Sequence, residues 1–296
     1  MSQWSVTRYD SIDACLAVAA GHKVRVAGRS SVAGGCISGG SRLELTDGNS
    51  LFLKRSSTLP VGMFAAEAEG LMLLQNDHIR VPRPYGWGSD AGASFLLMEY
   101  VDSAPRSPDY DRALGRGLAR LHRERTESLA GLGFDNYIGS TPQRNTRCDS
   151  WIEFFAIHRL SFQAELARSG GLLDAGTAAE IERLIGRLGE LLPDTERKSL
   201  IHGDLWGGNV MTGPDGLPAL IDPAVYFGHR EADVAMTELF GGFSRAFYAE
   251  YNNEWPLDSG YAKRSDLYNL YHMMNHLNIF GGSYLGSVRS IVRRYA

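Results

Sequence analysis

The sequence predicts an α+β protein with two lobes, a small one built on an antiparallel sheet with one helix and a larger, mostly helical one. Residues 23–54 alternate polar and apolar side chains around turn residues, as strands do. After Val101, apolar residues recur at helical spacing instead. Residues 103–108 between these regions contain prolines and serines that break regular structure. We therefore expect an N-lobe over residues 1–101 and a C-lobe over residues 102–296.

Three elements are predicted in the N-lobe. Residues 42–45 and 50–53 flank a turn that contains Asp47-Gly48, which is typical of a hairpin. An Ala-, Glu- and Leu-rich segment predicts a helix from Met63 to Gln75, and the prolines of residues 81–84 cannot continue it. The apolar run of residues 94–101 suits a buried strand.

Helices account for most of the predicted C-lobe. One is indicated by Leu114, Leu118 and Leu121, which recur at helical spacing. Further helices are predicted over residues 181–188, around Trp151 and from residue 265 to residue 280.

Composition and charge exclude several classes of protein. The 296 residues are 44% hydrophobic and 22% charged, as in an ordinary soluble globular protein. The net charge of -4 argues against a nucleic-acid partner, and no apolar run is long enough to span a membrane. The first residues lack the pattern of a signal peptide. Three widely spaced cysteines suit neither zinc nor a disulfide framework, so we expect a cytoplasmic protein.

The strongest functional signal is a pair of aspartates with an asparagine between them. Asp204 follows an apolar run, Asn209 comes five positions later, and Asp222 lies 18 positions after Asp204. Phosphoryl transfer needs a carboxylate that deprotonates the attacking hydroxyl and oxygen ligands that hold Mg²⁺ on the phosphates. Asp204 suits the first task, and Asn209 and Asp222 suit the second. The turn at residues 212–216 predicts a hairpin that brings both carboxylates to one cleft.

The N-lobe contains groups that such a site requires. Lys54 ends an apolar strand and could contact nucleotide phosphates, and Glu67 on the following helix is its preferred ion-pair partner over Glu69. The segment from residue 32 to residue 41 includes Gly34 and Gly35, which would let the backbone approach phosphates. It matches neither the Rossmann nor the P-loop pattern, so a plain hairpin turn remains an alternative there.

The chain resembles the fructosamine kinases (ketosamine-3-kinases), a branch of the aminoglycoside and choline kinase group, nearly from end to end. The resemblance rests on Gly34-Gly35-Cys36-Ile37-Ser38, Lys54, Met63-Phe64 with Glu67, Val81-Pro82-Arg83-Pro84, Leu114-Gly115, Leu118-Ala119-Arg120-Leu121-His122, Gly133-Phe134-Asp135-Asn136, His202-Gly203-Asp204-Leu205-Trp206-Gly207-Gly208-Asn209, Asp222-Pro223-Ala224-Val225-Tyr226-Phe227-Gly228-His229-Arg230-Glu231, Asn275-His276-Leu277-Asn278 and Phe280-Gly281-Gly282. It implies a bilobal, protein-kinase-like fold and ATP-dependent phosphorylation of the 3-hydroxyl of a ketosamine, with a role in the repair of glycated amines or proteins.

The resemblance also implies roles for particular residues. Asp204 is then the base, Asn209 and Asp222 are Mg²⁺ ligands, and Lys54 with Glu67 positions the phosphates of ATP. The adenine would meet the segment that comprises Met98, Glu99, Tyr100 and Val101. For the sugar, the candidates are Trp206 and His276, followed by Gln143, Asn145 and Asn278, because sugar sites combine an aromatic face with hydrogen-bonding groups. Core packing remains the alternative for Trp206, and structural roles remain the alternative for His276, Gln143 and Asn145.

Cys36 lies inside the glycine-rich segment, where backbone N–H groups would favour its thiolate. Its oxidation is hypothesised to block nucleotide binding through an intermolecular disulfide, which would give a redox-linked homodimer. The alternative is a small residue packed under the turn. Glu231 and Asp233 are expected near the cleft floor, although placement at a helix N-terminus would also explain both.

Two other functions remain open from the sequence. The first is a different kinase of the same group, acting on an aminoglycoside, choline or another sugar. The second is a non-catalytic nucleotide-binding module, against which the joint presence of Lys54, Asp204, Asn209 and Asp222 argues.

Overall fold

The structure is a computed structural model that describes residues 5–32 and 39–295. Its backbone divides into two units, Met1–Leu114 with Gly208–Ala224 as the first and Gly115–Gly207 with Val225–Ala296 as the second. The first unit thus extends past the lobe boundary predicted after residue 101. It also includes the segment from residue 208 to residue 224, which that boundary placed in the C-lobe. The expectations for Gly34, Gly35 and Cys36 fall outside the described residues.

Strands are concentrated in the first hundred residues. In chain order they are β1 (Arg8–Tyr9), β2 (Val26–Val32), β3 (Gly39–Leu45), β4 (Ser50–Ser56), β5 (Pro84–Asp90), β6 (Ala93–Glu99), β7 (Thr126–Glu127), β8 (Asn136–Ile138), β9 (Thr141–Gln143), β10 (Lys198–Ile201), β11 (Val210–Thr212), β12 (Pro218–Leu220) and β13 (Tyr226–Gly228).

Helices dominate the rest of the chain. The α-helices are α1 (Ile12–Ala20), α2 (Val61–Leu74), α3 (Tyr110–Glu124), α4 (Trp151–Phe154), α5 (Phe162–Ser169), α6 (Ala175–Gly186), α7 (Leu188–Leu191), α8 (Glu231–Leu239), α9 (Arg245–Glu254), α10 (Ser265–Phe280) and α11 (Leu285–Tyr295). A π-helix, Phe155–Ser161, joins α4 to α5, and short 3₁₀ turns lie at Gly207–Asn209, Tyr261–Lys263 and Gly282–Tyr284.

The first unit is built on a six-stranded sheet in the order β1-β5-β6-β4-β3-β2. Neighbouring strands pair antiparallel, as predicted, except that β1 runs parallel to β5. The predicted hairpin is β3–β4, with Leu43 opposite Leu51. At its turn Gly48 has a φ of +87°, a conformation that glycine adopts at no steric cost.

Helix α1 covers part of one face of this sheet. Cys15 and Leu16 of α1 are buried against alternate sheet residues, namely Leu43, Leu45, Leu51, Leu53, Phe95 and Leu97. Alternation of side chains along a strand directs Lys54, the neighbour of Leu53, to the other face. The apolar core under α1 therefore determines the face to which Lys54 points.

The β11–β12 hairpin belongs with the first unit because it is hydrogen-bonded to it. Leu220 N donates to the carbonyl oxygen of Arg80, 2.9 Å away, beside the loop that precedes β5. Ser107 N donates to the carbonyl oxygen of Gly216 at the tip of the hairpin. These backbone contacts hold the segment between Asn209 and Asp222 on the first unit.

In the second unit a small sheet of the order β13-β10-β7 is surrounded by helices. Trp151 is fully buried at the start of α4, after Ser150 caps the helix by accepting a hydrogen bond from Glu153 N. Its ring packs against Phe155 and Tyr268 at centroid distances of 5.2 and 6.2 Å. The predicted α+β class is thus confirmed. Among the described helices, none has the length and apolar character needed to cross a bilayer.

Candidate active site

Lys54 lies between two carboxylates at the edge of the first unit's core. Its Nζ is 2.6 Å from Glu67 Oε1 and 2.5 Å from Asp222 Oδ1. Strand β4 carries the lysine, α2 carries Glu67, and Asp222 follows β12. The side chain of Lys54 is only 10% exposed, so both ion pairs are largely shielded from water. The contact predicted between Lys54 and Glu67 is therefore present, and Asp222 is a second partner.

The charge of Lys54 is maintained by this arrangement. Burial by itself lowers the pKa of the ammonium, but the adjacent Glu67 and Asp222 carboxylates outweigh it and raise the pKa above its ordinary value. A lysine that stays charged and is held by an ion pair to a glutamate can contact nucleotide phosphates.

Glu69 has a different task. Its carboxylate accepts hydrogen bonds from Ser5 Oγ and Val6 N, both 2.6 Å away, and so fixes the chain before β1. Because Glu67 and Glu69 are two positions apart on α2, they project to different sides of the helix. The preference for Glu67 as the partner of Lys54 agrees with this geometry.

Asp222 occupies an unusual backbone conformation. Its φ is +54°, and besides Ala91 it is the only residue other than glycine in the described part of the chain with a positive φ. Residues held in this region cost conformational energy and often lie at functional sites. The side chain is 30% exposed, and Lys54 engages its Oδ1.

Asn209 is brought next to this aspartate by the hairpin. Val210 pairs with Leu220 across β11 and β12, and Ile221 N donates to the Asn209 carbonyl oxygen, 3.0 Å away. The two predicted metal ligands thus stand at the same end of one hairpin. Asn209 is buried, whereas Asp222 is partly open to solvent.

The donor chemistry at this end of the hairpin fits Mg²⁺. An amide oxygen and a carboxylate are ligands this cation takes, and it keeps water and substrate phosphates in its remaining positions. The described residues contain no cluster of three or more His, Cys, Asp or Glu side chains that would hold a metal by protein ligands alone.

The segment expected to meet adenine comprises the last two residues of β6 and the two residues that follow it. Met98 is buried, and Glu99 N donates to the Arg83 carbonyl oxygen, so this N–H is already engaged. The carboxylate of Glu99 pairs with Arg80 at 2.8 Å. The Tyr100 ring lies under the guanidinium of Arg42, 4.7 Å from its centroid. Val101 is buried. The N–H of Glu99 is therefore not free to donate to an adenine ring.

In the second unit, the loop after β10 carries Asp204. Gly203 has a φ of +80°, which lets the chain turn sharply before the aspartate. Asp204 N donates to His202 Nδ1 at 3.3 Å. The His202 ring is fully buried, so this hydrogen bond fixes the backbone of the loop to a buried side chain. Asp204 itself is partly exposed.

A buried carboxylate, expected from the sequence only to lie near the cleft floor, holds this loop. Asp233, on the first turn of α8, accepts hydrogen bonds from His202 N at 2.6 Å and Gly203 N at 2.8 Å. His122 Nε2 lies 3.1 Å from the same carboxylate. Burial acts to raise the pKa of Asp233, but these donors and the His122 ring lower it below its ordinary value. Asp233 is therefore an ionised anchor for the backbone of the Asp204 loop.

Replacement of Asp233 by Ala is expected to destabilise the protein by about 3–5 kcal/mol, because it leaves buried donors without an acceptor. Urea denaturation at pH 7 measures this, with Asp258→Ala on the surface as control. The folded-state pKa of Asp233 is depressed. The difference in unfolding free energy between wild type and Asp233→Ala is therefore largest above the unfolded-state pKa of about 3.9. It is lost as the pH falls through the folded-state value. A loss under about 1 kcal/mol at pH 7 contradicts the anchoring role.

Trp206 and His276 are joined through a third aromatic residue, Phe240. The centroids of the Trp206 and Phe240 rings are 6.5 Å apart in an edge-to-face arrangement, and those of Phe240 and His276 are 5.1 Å apart. Phe280 and Tyr284 extend the group from His276. Phe240 is 46% exposed and Phe280 is 55% exposed, so this aromatic group faces solvent rather than core.

The other predicted sugar contacts lie deeper. Gln143 and Asn145 are buried, and both donate to Asn136 Oδ1, at 2.7 and 2.8 Å. Asn136 in turn donates to the Val225 carbonyl oxygen. These two side chains are therefore engaged in a buried hydrogen-bond network within the second unit. Asn278 is partly buried and donates to the side-chain oxygen of Gln163, 2.6 Å away.

Sequence reasoning missed Asp233 as an anchor and Phe240 as a link between two candidates. Asp233 was noted only as a residue near a cleft floor, because nothing in its local pattern identifies backbone N–H groups 30 positions earlier as its partners. Phe240 precedes Gly241-Gly242, and an aromatic residue beside two glycines could have indicated an exposed surface.

Solved structures identify the fold. A protein of Haemophilus somnus assigned as a fructosamine-3-kinase superposes with a TM-score of 0.87 at 29% identity, covering 96% of each chain. An amicoumacin kinase shares the fold with a TM-score of 0.57 at 16% identity, over 90% of this chain and 87% of that one. The predicted kinase-like fold is thus confirmed, and fold and site together define a phosphotransferase that acts on a hydroxyl group.

The fructosamine kinase family model matches residues 8–296, and the chain belongs to this family. A Synechocystis protein assigned as a ketoamine kinase is 42% identical over 93% of this chain and 92% of its own length. The chloroplastic protein-ribulosamine 3-kinase of Oryza sativa subsp. indica is also 42% identical, over 93% of this chain and 80% of its own.

Proposed function

We propose that this protein transfers the γ-phosphate of ATP to the 3-hydroxyl of a ketosamine in the presence of Mg²⁺. The observation that carries the proposal is the position of Lys54, with Nζ within 2.6 Å of both Glu67 and Asp222. Family membership supports it, and so do the relatives named for ketoamines and ribulosamines.

The first unit supplies the nucleotide-binding groups in this proposal. Lys54 would bind phosphate oxygens, and its ion pair with Glu67 fixes the ammonium in place. Asn209 and Asp222 would hold Mg²⁺, which neutralises charge on the transferring phosphate. Asp222 would hold the cation through the same carboxylate that Lys54 contacts at Oδ1.

The second unit supplies the base. Asp204 would accept the proton of the attacking 3-hydroxyl, because a partly exposed carboxylate on an anchored loop can hold that hydroxyl in one orientation. The bond from the β-phosphate oxygen to the γ-phosphorus breaks as the bond from the 3-oxygen forms. The proton passes to Asp204, and ADP leaves.

We place the sugar and its amine against Trp206 and His276. Burial lowers the pKa of His276, so its ring is neutral near pH 7. Its Nδ1 lies 2.7 Å from the His272 carbonyl oxygen and must carry the ring proton. Nε2 is then an acceptor for a sugar hydroxyl or an amine N–H.

The cellular role proposed from these features is repair, because a 3-phosphate makes the bond between sugar and amine unstable. Expectations that depend on Cys36 and on a cytoplasmic location stay predictions from the sequence.

A substrate panel tests the proposal. Purified protein is incubated with MgATP and ribulosamine, erythrulosamine, fructosamine, choline or kanamycin, and ADP release is measured. We expect turnover with one or more ketosamines at a kcat/KM at least about tenfold above the other acceptors. Asp204→Asn serves as the inactive control. Preference for kanamycin or choline would overturn the substrate class, and ATP-dependent thermal stabilisation without turnover would indicate a nucleotide-binding module.

A further inference from the structure

A cavity in the first unit lies on the sheet face opposite Lys54. It measures about 350 Å³ and is lined by polar and cationic residues, among them Arg29, Ser31, Gly39, Ser41 and Arg55. The register pairs Ser31 with Ser41 and Gly39 with Arg55, so these residues share one face. Lys54, next to Arg55 on β4, must point to the other face.

This is the face that α1 covers only in part. Leu53, opposite Ser41 in the sheet, is buried against α1, while the strand ends beyond it carry arginine and serine instead of apolar residues. Gly39 contributes no side chain to this region, and a Cβ built on it would approach only the Arg55 carbonyl oxygen, at 3.9 Å.

Among the described residues, the contacts of the two arginines are hydrogen bonds to uncharged groups. Within residues 5–32 and 39–295, neither Arg29 nor Arg55 forms an ion pair. Arg29 Nε donates to Ser41 Oγ at 3.1 Å, and Arg55 Nη2 donates to the Asp90 carbonyl oxygen at 3.3 Å. Arg55 Nε is buried and has no hydrogen-bond partner among the described residues. A buried N–H of a charged group without an acceptor is costly, so an acceptor from outside the chain would stabilise it.

We propose that this cavity binds a phosphate or a phosphomonoester. Two guanidinium groups match the double negative charge of such a group, and their planar donors suit its oxygen atoms. The serine hydroxyls can donate to the remaining oxygens. A carboxylate would neutralise only one of the two arginines. The volume is larger than a bare phosphate requires and suits a small phosphorylated sugar.

Isothermal titration calorimetry of the full chain tests this with two probes, inorganic phosphate and glucose 6-phosphate. Saturating MgADP keeps the nucleotide site occupied, and ionic strength is held constant. Arg55→Met and Arg29→Met are each expected to weaken binding at least about tenfold, since each removes charge-assisted hydrogen bonds. Gly39→Val keeps both charges but fills the cavity. It is expected to weaken the binding of glucose 6-phosphate more than the binding of inorganic phosphate.

The matched control is Arg25→Met, which removes one exposed charge of the same unit outside the cavity. It is expected to bind both probes like the wild type. If glucose 6-phosphate binds more tightly than inorganic phosphate, the ligand of the cavity is an organic phosphate. If the two probes bind equally, the cavity recognises the phosphate group alone. The proposal is overturned if wild-type binding is undetectable at probe concentrations up to about 10 mM, or if Arg55→Met binds as tightly as wild type. Neither result depends on kinase turnover, so failure here leaves the proposed function intact.

Discussion

Replacement of Asp204 by Asn is expected to lower kcat by about 10²- to 10⁴-fold while the affinity for ATP stays nearly unchanged. Asn keeps the size of the side chain and its place on the loop, but it cannot accept the proton of the attacking hydroxyl. The loop itself is held by backbone N–H groups of His202 and Gly203 on Asp233, which this substitution leaves alone. The groups proposed to bind the nucleotide belong to the first unit.

Two measurements separate these effects. Steady-state kinetics with a ketosamine gives kcat, and titration with a fluorescent ATP analogue gives the nucleotide Kd. Asp258→Asn, an exposed change in the second unit, controls for loss of one negative charge. Turnover within about threefold of wild type would falsify the base assignment. A large loss of nucleotide affinity would instead indicate that Asp204 contributes to nucleotide binding and is not the base.

Replacement of Asp222 by Asn is expected to reduce kcat/KM for ATP by about 10²- to 10³-fold and to raise the Mg²⁺ concentration needed for half-maximal activity. The carboxylate is proposed to hold the cation, whose charge stabilises the transferring phosphate by several kcal/mol. Asn tolerates a φ of +54° as Asp does, so the backbone conformation should survive. Lys54 keeps Glu67 as its partner.

The control for this variant lies on the same hairpin. Asp215, at the exposed turn between β11 and β12, is replaced by Asn. It should leave both the kinetic constants and the Mg²⁺ dependence unchanged. The metal role of Asp222 is wrong if Asp222→Asn and wild type show the same Mg²⁺ dependence. Thermal unfolding of each variant shows whether the fold is retained.

Local sequence features predicted several elements of the first unit but not α1, which the expectation of a single helix omitted. The Asp47-Gly48 turn, the helix that contains Glu67 and the strand that contains Met98 all depend on contacts between near neighbours, which alternation and turn chemistry reveal. The helix at Trp151 was also found. Its continuation as a π-helix was not, because the i to i+5 hydrogen bonds of Phe155–Ser161 leave no periodic signal in seven residues.

Residue types also narrowed the chemistry. One lysine, one asparagine and two aspartates at suitable spacing indicated phosphoryl transfer before any geometry was known. The boundary between the two units was harder to place from the sequence. The segment from residue 208 to residue 224 belongs to the first unit, to which it is joined by backbone hydrogen bonds to Arg80 and Ser107. Backbone groups are the same in every residue, and so they give no compositional sign of such pairing.

The amino-acid sequence by itself determined which groups are available: a kinase-like set of acids, amide and lysine, and the strands and helices that carry them. Only the tertiary structure decided which of them meet. Lys54 and Asp222 are 168 positions apart, and Asp233 anchors a loop 30 positions before it. The physical reason is that local residue patterns reflect contacts between residues a few positions apart. The pairs named here form only when the packing of helices and strands brings distant charged groups together away from water.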